Sequence, residues 1–369
     1  MTRSHPPRTG APRVLARRAP AGSPGGSVQP VFAGVTRSAA VFALLVGAAA
    51  LVAVLVSSGV TRMPPIAGLA EPSPVVRWGI PTARILVDLA AVTTAGLALL
   101  ARFIGFDRPE RSEPVLRRTY RVAEWSAWTW TVAAVVSVVL LTAELQPGSV
   151  PSPGDVWTYV ASIAAGKGLL LSAGCGLLSV WLVRLTRRHG ERVPAELRAG
   201  VALFGLLPLP LTGHATNWDY HDLSMVSMEL HVVAASAWAG GLGAVVVFLS
   251  GRADLLAVAL PRFSRLATWC VVVVGLSGVF NGLLELAVSP VTNLPESLWQ
   301  TRYGVLILAK TALMIVVAAI AVVVRQRLLP RILDRRRTAV AVWCGWELVV
   351  LGMAFGVAVA LTRSSVLPF

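Results

Sequence analysis

An all-α, polytopic transmembrane bundle of about nine helices is the architecture this sequence predicts, and three observations carry it. Of 369 residues, 55% are hydrophobic and only 14% charged, against about 25% charged in ordinary soluble domains. Apolar runs long enough to cross a bilayer core, which needs roughly 20 residues in a helix, recur along the whole chain. Basic residues alternate between rich and poor connections, as the positive-inside rule demands of a multi-pass protein. The net charge of +15 sits in short blocks between apolar runs. It is therefore a topology signal and not a footprint for nucleic acid.

The elements follow in order. Residues 1–38 are rich in Arg, Pro, Gly and Ser without apolar periodicity, and are expected as a disordered basic cytoplasmic tail. The apolar run behind them spans a bilayer, unlike the short core of a cleaved signal peptide. Nine runs are read as helices: 39–60, 82–106, 122–145, 156–183, 200–213, 223–250, 266–288, 303–324 and 338–361. The fifth is the weakest, being short and carrying Pro208 and Pro210. Of the 33 Lys and Arg residues, 25 fall in the N-terminal tail and the connections after runs two, four, six and eight, and 4 fall in the other connections and the C-terminus. This split predicts the N-terminus inside and the C-terminus outside. It also requires the fifth run to cross, since omitting it inverts every later connection. No internal repeat is visible, so an inverted-repeat transporter is not expected. The predicted division is 1–38 tail, 39–213 five-helix membrane region and 214–369 four-helix membrane domain.

Polar side chains within membrane helices are expensive and mark function or interhelical pairing. Here they are Asp88, Glu124, Lys167, Glu229, His231, Asn281, Glu285, Lys310 and Glu347. Glu229 or Glu347 is a candidate partner for Lys310. The richest segment joins runs five and six and holds His214, His221 and His231, Met225 and Met228, and Asp219 and Asp222. Helical spacing sets His221, Met225 and Met228 at i, i+4 and i+7 on one face, with His231 three residues further. His221 and His231 lie ~15 Å apart along the axis, too far to share one ion, so a ladder of sites is expected. Imidazole with thioether favours soft Cu(I) over zinc, magnesium or calcium. Asp88, Glu229, Lys310, His214 and Asn281 all fall toward the outer leaflet, which predicts an outward-facing cavity. Pro208 and Pro210 are expected to free backbone carbonyls beside it. Cys175, Cys270 and Cys344 lie in inner halves of their runs and are expected as packing residues. Ala235, Ser236, Ala239, Gly240 and Gly241 give the sixth run a small-residue face for close packing, which makes it the expected centre of the bundle with Trp238 beside it.

Four segments in order resemble the copper resistance protein D family: LHVVAASAWAGGL, RFSRLATWCVVVVGLSGVFNGLLEL, TRYGVLILAKTAL and WELVVLGMAFGVAVALTRS. The earlier segments IPTARILVDLAAVTTAGLALLA and GHA…HDL are similar to the N-terminal part of actinobacterial members. In many such relatives a cytochrome c oxidase assembly domain follows, and this sequence is expected to lack it. The resemblance implies copper handling in the bacterial cytoplasmic membrane, with copper moved inward for resistance or supply, and no enzymatic activity. By the same resemblance His231, Trp238, Asn281, Lys310 and Glu347 sit on family motif positions, and His214 and His221 match the actinobacterial pattern. Metal contact is expected at His214, His221, Met225, Met228 and His231. Asp88, Glu229, Asn281, Lys310 and Glu347 are expected along a transport or proton-coupling path. A periplasmic or extracellular copper-binding protein and the oxidase assembly machinery are the expected partners besides lipid. Two other readings stand beside transport. One is copper delivery to a partner without transport. The other is a haem protein, which would need His231 to pair with His214.

Overall fold

The computed structural model describes residues 32–60, 71–105, 109–212, 221–289, 291–333, 340–362, 364 and 366. Residues 1–31 of the predicted tail, together with His214 and Asp219, lie outside the described residues, whereas residues 32–38, expected in that tail, begin the first helix. Described helices are α1 (Phe32–Val60), α2 (Pro74–Ile104), α3 (Pro109–Leu145), α4 (Pro153–Ser162), α5 (Ala164–His189), α6 (Ala195–Phe204), α7 (His221–Leu249), α8 (Ala253–Val288), α9 (Ser297–Gln300), α10 (Arg302–Val323), α11 (Leu329–Leu333) and α12 (Val340–Leu361). Short 3₁₀ turns occupy Gly190–Arg192 and Leu209–Thr212, and a π turn joins α10 to α11. The all-helical membrane bundle expected from the sequence is what forms. Seven described helices, α2, α3, α5, α7, α8, α10 and α12, are long and apolar enough to cross a membrane. Their outward faces carry exposed Trp125, Trp269, Leu276 and Ile315, which water would penalise and lipid does not.

Local chemistry sets the ends. Ser73 caps α2, its Oγ accepting from the Val76 amide, with Pro74 in the first helical position where a missing N–H costs nothing. Gly105, at φ 71°, stops it. The fourth apolar run is not one helix. It breaks at Ile163, and α4 folds back on the first turn of α5, where Gly166 leaves room for the Tyr159 ring that a Cβ would strike.

The weak fifth run is an irregular segment laid along α2. It comprises α6, a turn through residues 205–208 and the Leu209–Thr212 turn. Glu196 at its start pairs with Arg102 near the end of α2, at 3.0 Å. Near its other end the Leu209 carbonyl accepts from Arg84, at 3.2 Å. Arg84 and Arg102 are separated by ~27 Å of helix axis, close to the ~30 Å hydrocarbon core. The carbonyl freed beside Pro208 and Pro210 is thus taken by an arginine, and Gly205 admits the Trp130 ring and Cys175 where a Cβ would collide.

The centre of the bundle is a pair of helices, α2 and α7. They cross where Gly96 meets the backbone of Gly240 so closely that a Cβ on either would overlap the other chain. Gly241, on the same small-residue face, meets the Phe263 ring of α8. Trp238 is fully buried beside this crossing. A second close approach joins α12 to α1, where Gly352 and Gly356, spaced as G-x-x-x-G, face Val46 and Ala50. Such small-residue seams are how helices associate where lipid removes the hydrophobic drive between them. Among the seven spans α10 is the least buried, packing chiefly on α12.

Candidate functional site

The residues that converge do so between α2, α7, α8, α10 and α12, around an internal cavity of about 170 Å³. Helix α7 supplies Met228, His231 and Ser236; α2 supplies Arg84 and Asp88; α8 supplies Glu285; α10 supplies Tyr303, Lys310 and Met314; and α12 contributes an apolar wall from Leu351 to Thr362. Pro210 of the irregular segment closes one side. A wider groove between α5 and α6 holds Lys167, Cys175 and Glu196 among apolar residues and glycines, with no imidazole or thioether among the lining residues.

His231 is buried, and its tautomer follows from its neighbours. Ser277 Oγ spends its one proton on the Val273 carbonyl at 2.5 Å, so it can only accept from His231 Nδ1, which stands 2.9 Å away. Nδ1 therefore carries the hydrogen and Nε2 keeps its lone pair. The Cε1–Nδ1 edge of the ring faces α8, where a Cβ at Gly278 would meet it. The described hydrogen bonds of the ring, to Ser277 Oγ and to the Val274 carbonyl, both run to α8. An imidazole held by one nitrogen while the other keeps its lone pair is the usual posture of a metal ligand.

Two thioethers share the cavity with that imidazole: Met228, one turn from His231 on α7, and Met314 on α10. Met225 is buried but does not line the cavity, and Met314 takes the place expected of it. Among the described residues no group of three or more His, Cys, Asp or Glu side chains could hold a metal. The thioethers of Met228 and Met314 are the soft donors that line the cavity beside His231. His221 begins α7, and its side chain lies outside the described residues. The three cysteines are free and buried, as expected of packing residues.

The remaining predicted residues divide. Asp88 lines the cavity in an ion pair with Arg84, Nε to both carboxylate oxygens at 3.2 Å. Asn281 clamps α7 to α8, donating from Nδ2 to Ser227 Oγ at 3.0 Å and accepting from Ser224 at 3.4 Å. With Ser277 and His231 one turn deeper, this forms a polar ladder along the α7–α8 seam. Glu347 is buried and accepts from the Trp238 indole, tying α12 to α7. Glu229 is half-buried and away from the cavity lining. The expected partnering of Lys310 with Glu229 or Glu347 does not occur, since none of the described ion pairs includes Lys310. Its ammonium faces the cavity, where its field reaches His231. Arg84, Tyr303 and Met314 are cavity residues that sequence reasoning did not single out. Lys310 and Met314 stand at i, i+4, the spacing that shares a helix face, so the signal for Met314 was present.

Known proteins resemble this chain over both of its halves. The model of the copper resistance protein D family matches residues 257–361, and that of the copper resistance protein D-like N-terminal domain matches residues 75–222. The copper transport protein CutJ of Bacillus subtilis (strain 168) is 26% identical over 273 residues, 69% of this chain and 46% of its own. The chain thus spans about half the length of that relative. The inner membrane protein YebZ of Escherichia coli (strain K12) is 35% identical over 228 residues, 58% of this chain and 74% of its own. No solved structure matches the chain. With both family regions matched and seven apolar spans among the described helices, the chain belongs to the copper resistance protein D family, as a multi-pass protein of the cytoplasmic membrane.

Proposed function

We propose that this chain is a non-enzymatic copper carrier, which receives copper from the outer face and passes it inward through the cavity between α2, α7, α8, α10 and α12. The observation that carries the reading is the meeting of an imidazole nitrogen that keeps its lone pair, His231 Nε2, with two thioethers, Met228 and Met314, in one intramembrane cavity. Cu(I) is the favoured cargo, because neutral thioethers bind soft monovalent ions and release them again. Capture at the outer mouth falls to His214 and His221. Inward passage then follows Met228 and His231 past Trp238 and Glu347. CutJ is named a copper transport protein, which supports transport over delivery to a partner. A haem reading would need His214 as the second ligand beside His231, and no second imidazole lines the cavity among the described residues; absence of a Soret band would remove it.

The test is stoichiometric binding of Cu(I) under reducing conditions, with Ag(I) as a stable surrogate, to purified protein in detergent. Wild type is compared with Met228→Ala/His231→Ala/Met314→Ala and with His214→Ala/His221→Ala. We expect one tightly bound ion lost in the first variant, and slower loading in the second with the final occupancy kept. Equal occupancy in wild type and the cavity variant would overturn the site. Copper flux into protein-loaded vesicles then separates carriage from delivery, with absence of flux in a protein that binds copper favouring delivery.

A further inference from the structure

The cavity that offers His231, Met228 and Met314 also holds a fixed cation whose role softness alone does not explain. Lys310 lines the same wall as Met314, one helical turn away. Among the described residues it makes no ion pair. The other charged groups facing the cavity are Arg84 and Asp88, already neutralised by each other, and Glu285 on α8. Glu285 sits near Tyr303 at the start of α10, seven residues and so ~10 Å along the axis from Lys310. Among the described residues no carboxylate forms an ion pair with the ammonium, and its field reaches the imidazole that would ligate the ion.

A lysine next to a cation site is a liability unless it discriminates. Like-charge repulsion scales with the product of the charges, so a divalent ion at His231 meets twice the penalty of a monovalent one. In a narrow cavity with an apolar α12 wall, little water screens that difference. Rejection built from an unfavourable contact with the wrong ligand is a standard route to specificity.

We infer that Lys310 is a valence filter: its ammonium, standing unpaired beside His231, Met228 and Met314, makes the cavity selective for monovalent over divalent cations. The inference rests on the metal-carrying reading of the cavity and names what sets its cargo. Thioether softness favours Cu(I) and Ag(I) over zinc, and Lys310 adds an electrostatic term that acts equally against Zn(II) and Cu(II).

The experiment is competitive binding of Ag(I) and Zn(II) to the full-length protein in detergent, for wild type, Lys310→Met, Lys310→Gln and Lys310→Arg. Both uncharged variants should gain Zn(II) affinity, with the Ag(I)-to-Zn(II) ratio falling about tenfold or more. Lys310→Arg keeps the charge and should keep the ratio. The two uncharged replacements differ in polarity, so a packing defect in one leaves the other to decide. A ratio unchanged in both, with Ag(I) still bound, overturns the filter and leaves the carrier reading standing. A ratio that shifts as much in Lys310→Arg as in Lys310→Met also overturns it, because charge is then not the cause. If wild type binds no Ag(I), the carrier reading fails and the filter falls with it.

Discussion

Ser277 decides which nitrogen of His231 is free, and so governs the metal site without touching the metal. Its single proton goes to the Val273 carbonyl, leaving only acceptance from Nδ1. Removing such a ligand-orienting partner costs about 10–100-fold in metal affinity in comparable sites. Ser277→Ala should therefore weaken Ag(I) binding by about tenfold or more, while Ser277→Thr, which keeps the hydroxyl, restores it. A silver titration of the three proteins is the check, and unchanged affinity in Ser277→Ala would remove the orienting role. Residue-scale chemistry was partly legible in the sequence. Polar groups in apolar runs stand out, so His231, Met228, Asp88 and Lys310 were visible at once. Their partners were not, because Ser277 reads as an ordinary small residue in α8. Met225 shows the limit of spacing: it fits a stripe with His221 and Met228, yet it is buried and not among the cavity-lining residues. Spacing fixes a face of one helix and leaves open which neighbour that face meets.

At the level of elements, hydropathy marked the membrane portion of each helix and missed the rest. The third and seventh runs were expected to begin at residues 122 and 266, whereas α3 begins at Pro109 and α8 at Ala253. The added turns of α3 are charged, whereas those of α8 bury Leu255, Leu256, Leu260 and Phe263 in the core; Arg117 pairs with Glu113 at i,i+4, and Arg111 with Asp254 between the two helices. Exposed pairs of this kind contribute little stability each, so they align the extensions more than they fasten them. The fastening lies in the glycine seams. The sequence shows the small-residue face of α7 but not that its partner is Gly96 of α2, since a glycine carries no sign of what approaches it. Gly96→Val should separate α2 from α7, because its Cβ would fall on the Gly240 backbone. Overpacking a tight interior costs typically ~1–3 kcal/mol, and a backbone obstacle that cannot rotate away puts this site at the upper end. Gly275, whose Cβ position is open, is the control: Gly275→Ala should be neutral or slightly stabilising. Thermal unfolding in detergent compares them, and a Gly96→Val protein as stable as Gly275→Ala would show that α2 and α7 are not so closely apposed.

For the whole molecule, the question is how the bundle stands in the bilayer, and it turns on the segment that looked least like a helix. Arginine distribution predicts the N-terminus inside only if residues 200–213 cross. Their pairing with α2, from Glu196–Arg102 at one end to Leu209–Arg84 at the other, covers nearly the thickness of the hydrocarbon core. The ten-residue helix α6 is too short to do this by itself, and the turns that follow it, with Pro208 and Pro210, extend the segment toward Arg84. Its freed carbonyls are tolerable at that depth only when protein groups take them up, and Arg84 does so at Leu209. Four single cysteines decide the matter, since the native thiols are buried. With a membrane-impermeant maleimide on intact cells, Ser149→Cys and Glu296→Cys should label from outside, and His189→Cys and Ala253→Cys should not. If the proline segment instead turned back without crossing, Ser149 and His189 would keep their pattern while Ala253 became reactive and Glu296 became silent. That outcome would invert α7 and every later helix. It would place the His231 cavity on the inner side of the membrane, so the direction proposed for copper depends on residues 200–213, the weakest of the apolar runs.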